Sequence, residues 1–195
     1  MASGIDISIP PFGNATTAGV RANFTTAKAE IEALQTQIGY VDYNDTATTS
    51  TPISVSPSTW TKLTNNKLGV YGQERLPDGI TNLWNAVTNQ FAFSECPVYT
   101  MLEFRSDVEV TTSGANQVVK FDLSLAIGDP GAFSLPSNEI YFKTSGARRV
   151  VTSIPFYIGS TSVKNNPGEV RIWSDASCTV KVLGWYIRVI KHLGV

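Results

Sequence analysis

The first residues of the chain alternate apolar and polar side chains. Ile5, Ile7 and Ile9 are separated by single polar residues, which is the period-two pattern of an extended strand with one apolar edge. Two prolines follow directly, and proline is excluded both from helix interiors and from central strands. We therefore predict that residues 1–13 form an extended arm that docks onto another chain, with a floppy terminus as the alternative. The docking residues of this arm are Ile5, Ile7, Ile9 and Phe12.

A different period begins after the arm. Six apolar residues recur at alternating spacings of four and three, which is the a/d spacing of a heptad repeat. They are Val20, Phe24, Ala27, Ile31, Leu34 and Ile38. Gly39 is suited to end a helix, so residues 14–39 are predicted to be helical. The stripe is narrow, which favours an oligomeric coiled coil of two or three chains. A helix packed on the chain's own β domain is the alternative.

The rest of the chain has the pattern of strands. Residues 40–58 are rich in Thr, Ser and Pro and are predicted to be a linker or an extended connector. After them, strand signals recur without any helical period beyond residue 95. These signals lie at 59–64, 98–104, 117–128, 139–144, 149–159, 169–174 and 179–191. Residues 59–195 are therefore predicted to be an antiparallel, mainly β jelly-roll sandwich that folds without the residues before it.

Two strand signals carry more detail than the others. In 117–128, apolar residues alternate with polar ones, so one face of that strand is predicted to cover the core. The alternating residues are Val119, Phe121, Leu123, Leu125 and Ile127. In 179–191 the apolar phase changes in the middle of the strand, which predicts a β-bulge near Gly184.

The balance of charges excludes some partners. The chain has 15 Lys and Arg against 16 Asp and Glu, so phosphate neutralisation offers no basis for binding nucleic acid. Charged residues make up 16% of the chain, against about 25% in an average globular protein. So small a charged fraction suits a β protein, or a protein whose faces are covered by copies of itself. Without a signal-peptide pattern or a membrane-spanning apolar stretch, we expect a soluble chain made in the cytoplasm, with no membrane partner.

Residues suited to catalysis are scarce. His192 is the only histidine, and no known catalytic, phosphate-binding or metal-binding motif occurs. Cys96 and Cys178 are far apart and are interpreted as buried small hydrophobic residues. The four tryptophans could stack on sugars, but most are explained by the core, including Trp173 and Trp185. We therefore expect no cofactor, no metal and no enzymatic activity.

Several blocks of the sequence resemble a known group of proteins. They are 59-TWTKLTNNKLGVYGQERLPDGITNLWNAVTNQFAF-93, 139-EIYFKTSGARRVV-151 and 157-YIGSTSVKNNPGEVRIWSDASCTVKVLGWYIRVI-190. They resemble the C-terminal domain of tailed-bacteriophage virion proteins of the tail-fibre, head-fibre or structural kind. The opening segment 9–39 is similar to N-terminal segments of such chains. The resemblance implies a homotrimeric virion appendage with a tumour-necrosis-factor-like jelly roll on an N-terminal stalk.

The function expected from this resemblance is structural. The chain has neither repeats nor a long shaft, which favours a head-decoration, cement or short-fibre protein of a bacteriophage virion over a long tail fibre. Its expected partners are two further copies of itself and a capsid or tail protein that binds the arm. The alternative is the receptor- or carbohydrate-binding tip of a tail fibre, with a host-surface glycan as partner.

Overall fold

The computed structural model describes residues 17–35, 37–136 and 139–192. The helices are α1 (Thr17–Gln35), α2 (Ala47–Ser50) and α3 (Thr161–Asn165), and a 3₁₀ turn covers Gln73–Arg75. The strands are β1 (Ile38–Asn44), β2 (Ile53–Val55), β3 (Thr61–Lys62), β4 (Gly69–Tyr71), β5 (Trp84–Asn85), β6 (Gln90–Phe91), β7 (Met101–Thr112), β8 (Gln117–Leu125), β9 (Phe133–Pro136), β10 (Ile140–Phe142), β11 (Gly146–Tyr157), β12 (Glu169–Ser174) and β13 (Cys178–Ile190).

The strands form two main sheets in which all neighbours are antiparallel. The first sheet has the order β11-β7-β13-β1-β4, and β2 also pairs with β13. The second sheet has the order β10-β8-β12-β3, with β9 pairing with β8. The hairpin β5–β6 forms a separate small sheet. The inward faces share one apolar core, so the predicted antiparallel, mainly β jelly-roll sandwich is confirmed.

Four aromatic rings lie at the centre of the core. Trp84 packs edge-on against Phe91 and Trp185, and Phe104 contacts both of these in turn. The ring centroids are 4.8 to 6.0 Å apart, which is the favoured edge-to-face range. The alternation predicted in β8 is also confirmed, because its apolar residues from Val119 to Leu125 are buried. Ile127 lies beyond the end of that strand.

The bulge predicted in the last strand is present. The register of β13 against β7 shifts between Val182 and Gly184. Because of the extra residue, the apolar side chains before and after the bulge point to the same side of the sheet, and Val182 and Trp185 are both buried. A Cβ atom at Gly184 would lie 2.8 Å from Asn44 Oδ1, so glycine allows β1 to approach closely.

Residues 40–58 are not a linker; they contain paired strands, which agrees with the alternative of an extended connector. Strand β1 pairs with β13 from Ile38 to Asn44, and β2 pairs with β13 near Cys178. Val41 and Tyr43 are fully buried in the core. The predicted helix is also shorter, because α1 ends at Gln35 and Ile38 opens β1. The sequence did not indicate this because the strand partner of β1 lies nearly 150 residues away.

Buried polar contacts attach β1 to the loops that follow it. Asn65 Nδ2 donates to the Tyr43 carbonyl at 2.8 Å, and Trp84 Nε1 donates to the Asn65 carbonyl at 2.9 Å. The Tyr43 hydroxyl accepts a hydrogen bond from the Leu83 N–H at 3.0 Å. Burial raises the pKa of Tyr43 to about 12. Losing β1 would leave Asn65 Nδ2 and the Leu83 N–H without these partners, at about 1–3 kcal/mol each.

Because β1 belongs to the first sheet, we no longer expect residues 59–195 to fold without the residues before them. We expect a chain of residues 59–195 to be insoluble, because it exposes one side of β13 and lacks the buried Val41 and Tyr43. A chain of residues 37–195 keeps both strands and is expected to be soluble and β-rich by circular dichroism. Equal solubility and equal far-ultraviolet spectra of the two chains would contradict this assignment.

Candidate self-association surface

The outer face of the first sheet carries a row of apolar side chains at one end. Tyr157 is paired with Met101, Met101 with Ile190, and Ile190 with Ile38. Register partners in a sheet point to the same face, so the four side chains form one line across four strands. They are 39% to 59% exposed. We call these four residues the apolar row; exposed apolar side chains that lie side by side are typical of surfaces that contact a partner.

Aromatic and basic side chains adjoin the apolar row. The rings of Tyr40 and Tyr186 stack with centroids 5.9 Å apart. The Arg105 guanidinium lies 5.5 Å from the Tyr186 ring centroid, and the Arg75 guanidinium lies 5.5 Å from that of Tyr40. Tyrosine and arginine are enriched where protein surfaces meet, because they combine a large contact area with directed donors.

The same face becomes charged farther from the row. A cavity of about 230 Å³ there is lined by Asp42, Arg105, Asp107 and Arg149 among others. Arg149 pairs with Asp107, and its Nε donates to Asp107 Oδ1 at 2.7 Å. Burial raises the pKa of Asp42, against the opposing effect of Arg105 and with a smaller contribution from Asp107. The face therefore runs from apolar at one end to ion-paired at the other.

Helix α1 places its predicted stripe partly in solvent. Phe24 is 72% exposed and Ile31 is 56% exposed, whereas Val20 and Ala27 are half-buried. Leu34 belongs to the helix, but its side chain is outside what the structure describes. Because Phe24 and Ile31 face water, the structure does not support the alternative in which this stripe packs on the chain's own β domain. Their role in oligomerisation stays a prediction.

The helix leaves the sandwich at the end that carries the apolar row. It ends at Gln35, three residues before Ile38, the last member of the row. The Lys191 N–H donates to the Gln37 carbonyl at 2.8 Å, which holds this junction against the end of β13. The predicted stripe and the apolar row are therefore adjacent along the chain. Sequence patterns identified the strands that contain Met101 and Ile190, but which of their residues face water depends on long-range pairing.

The residues considered for catalysis are dispersed. The ring of His192 packs edge-on against Tyr99, with centroids 5.6 Å apart. Cys96 and Cys178 are buried, as predicted, and burial raises the pKa of the Cys96 thiol to about 12. Among the described residues, no group of three or more His, Cys, Asp and Glu side chains is placed to hold a metal ion. None of the described helices is long and apolar enough to cross a membrane.

Comparison with known proteins gives only distant structural similarity. No protein-family model and no curated protein matches this sequence. The chain is similar to a chain of the T13 IBDV viral particle, with 9% identity and a TM-score of 0.43 over 79% of this chain and 31% of that one. It is similar to the PRD1 vertex protein P5, with 12% identity and a TM-score of 0.38 over 80% of this chain and 96% of that one.

A third similar structure is Eiger TNF from S. frugiperda. The identity is 9% and the TM-score is 0.41, over 81% of this chain and 94% of that one. This chain spans less than a third of the IBDV chain's length. Similarities this distant do not indicate a function. The fold assignment comes from the strand pairing described above.

The apolar row makes a specific prediction for self-association. Ile190→Lys places a charge in the middle of the row, where a partner would have to bury it, so we expect the assembly to dissociate at micromolar concentration. The matched control is Thr179→Lys, which adds the same charge to the outer face of the same strand at its opposite end. Sedimentation velocity measures both variants. Equal sedimentation of Ile190→Lys and Thr179→Lys would rule out the apolar row as an interface.

Proposed function

We propose that the protein is a structural, non-enzymatic component of a bacteriophage virion that works as a homotrimer. Its place would be that of a head-decoration, cement or short-fibre protein. The observation that carries the proposal is the exposed apolar surface formed by the stripe of α1 and the apolar row. Such a surface needs a partner, and a second copy of the chain supplies the same heptad stripe.

The choice of three copies rests on the sequence resemblance. The heptad spacing is compatible with two or three strands, and the virion proteins that the sequence resembles imply trimers. A trimer joined along α1 brings three junctions at Ile38 together around one axis. Each apolar row can then contact a neighbouring sandwich, which extends the interface beyond three heptads. This arrangement also agrees with the small charged fraction of 16% in the chain.

The N-terminal arm would attach the trimer to the particle. A strand with alternating Ile5, Ile7 and Ile9 can add to an exposed sheet edge of a capsid or tail protein, where its main chain forms hydrogen bonds and its side chains fill pockets. Three arms on one trimer bind with avidity, because the second and third contacts are intramolecular. The arm lies outside the described residues, so this step rests on its sequence alone.

The helix can be tested separately from the sheet. Ile31→Asp would place a carboxylate on the axis of the coiled coil in every chain, so we expect a smaller assembly and a lower melting temperature. Ala29→Asp is the control, because Ala29 is exposed and lies on the opposite side of the heptad. Light scattering and thermal unfolding compare the two variants. If Ile31→Asp keeps the mass and melting temperature of the control, α1 does not contribute to assembly.

We expect the arm to be needed for binding to particles and not for formation of the oligomer. Deleting residues 2–12 should leave the oligomer intact and abolish its co-sedimentation with particles that lack the protein. Full-length protein added to the same particles is the control. A deleted chain that co-sediments as well as the full-length chain would contradict the docking role.

The alternative function, the tip of a tail fibre, differs in copy number. Gel densitometry of purified particles measures the ratio of this chain to the major capsid protein. A decoration or cement protein is expected in hundreds of copies, whereas a tail-fibre tip is expected in only a few. A count of a few copies per particle would favour the alternative.

A further inference from the structure

The outer face of the second sheet differs in chemistry from the apolar row. Trp60 lies next to Thr61, and Trp173 lies next to Ile172, the register partner of Thr61. The two indoles therefore lie at the same level on neighbouring strands. Trp60 is 40% exposed, while Trp84 and Trp185 are buried in the core. The sequence-based assignment of Trp173 to the core is wrong. Side chains alternate along β12, so Val170 and Ile172 point inward and are buried, whereas Trp173 points outward and is half-buried.

Ion pairs hold the polar side chains beside the two indoles. Arg171 donates to both carboxylate oxygens of Asp122, at 3.0 and 2.8 Å, and also to Ser134 Oγ at 2.9 Å. Its guanidinium carbon lies 5.5 Å from the Trp60 ring centroid. Next to Trp173, Lys120 pairs with Glu139. These contacts fix the orientation of the indoles and of the donors around them.

A third ion pair connects this face to an amide-lined cavity. Glu169 Oε1 accepts hydrogen bonds from Lys62 Nζ at 2.8 Å and from Gln90 Nε2 at 2.9 Å. Gln90 also lines a cavity of about 240 Å³. The other polar side chains lining it are Asn85, Thr88, Ser94, Lys164, Asn165 and Asn166. Glu169 lies four residues from Trp173 along β12, so the Cα atoms of these two residues are about 13 Å apart.

We propose that this face, from Trp60 and Trp173 to the amide-lined cavity, binds a neutral oligosaccharide. An exposed indole presents an apolar face on which the C–H groups of a sugar ring can pack, and amide and guanidinium groups can bind its hydroxyls. Arg171 uses three of its five donors within the part of the chain that the structure describes, which leaves two for a ligand.

The charges on the face favour a neutral ligand over an acidic one. Lys164 lines the cavity, and the three basic side chains on the outer face of the second sheet, Lys62, Lys120 and Arg171, each pair with a carboxylate on the same face. An acidic ligand would have to displace these carboxylates. The outward side chains of β12 are Glu169, Arg171 and Trp173. None of these three is aliphatic, unlike Ile38 and Ile190 in the apolar row. The face is on the sheet opposite the apolar row, so it remains accessible in an assembly formed through that row.

The test is a binding measurement on the full-length protein. The probes are neutral hexasaccharides of glucose, mannose, galactose, xylose and N-acetylglucosamine, with a heparin hexasaccharide as the acidic probe. Isothermal titration calorimetry measures Kd, and tryptophan fluorescence reports binding at Trp60 and the half-buried Trp173. We expect at least one neutral hexasaccharide to bind. Binding of none of them, or tightest binding to the heparin hexasaccharide, would overturn the proposal.

Variants locate the site on this face. Trp60→Ala and Trp173→Ala are each expected to weaken binding of the neutral hexasaccharide about tenfold or more, and Trp60→Phe by less. The control is Tyr71→Ala, which removes an exposed aromatic ring from the first sheet and should leave Kd unchanged. Trp60→Phe keeps an aromatic platform and the fold, so it separates loss of stacking from loss of structure. Unchanged Kd in both alanine variants, or an equal loss in Tyr71→Ala, would overturn the site.

Discussion

Strand β13 pairs with β7 on one side and with β1 and β2 on the other, and the first sheet depends on these contacts. The pairing joins the segment directly after α1 to the end of the described chain. It buries Val41 and Tyr43, and burying each such side chain contributes on the order of 1.5–3 kcal/mol. Because the paired segments are distant in sequence, the sheet can close only after most of the chain is available.

The register of these strands also determines the chemistry of the outer face. It aligns Tyr157, Met101, Ile190 and Ile38 in one apolar row, although these residues come from four separate parts of the chain. In the second sheet, the register instead aligns Trp173 with Lys120 and Arg171 with Asp122. One sandwich therefore presents a face with an apolar row at one end, for which we propose a protein partner, and a face with two indoles and paired charges, for which we propose a ligand with hydroxyl groups.

The sequence predicted the features that depend on local pattern. The alternation in β8, the bulge near Gly184 and the burial of both cysteines follow from neighbouring residues, and all are confirmed. Strand β1 was missed because its seven residues follow a helix and are surrounded by Thr and Ser. Its identity as a strand comes from its pairing with β13, which no local pattern encodes.

For the candidate sites, too, the sequence indicates what depends on neighbouring residues and not what depends on strand pairing. Heptad spacing predicted Phe24 and Ile31 as oligomerisation residues; both are exposed in the single chain, and their role in oligomerisation stays a prediction. Ile38 continued that spacing but belongs to β1, where it joins the apolar row instead. Trp173 was assigned to the core because its apolar neighbours suggested it. Which way its side chain points, and so its partial exposure, is determined by the pairing of β12 with its partner strands.

We propose that the heptad stripe of α1 and the apolar row are covered by further copies of this chain. The most direct measurement is the mass of the wild-type protein by light scattering over a wide range of concentrations. We expect a constant mass of three times the chain mass of 21.1 kDa. A mass of one chain at all concentrations would contradict it, because the exposed apolar surface would then have no partner among its own copies.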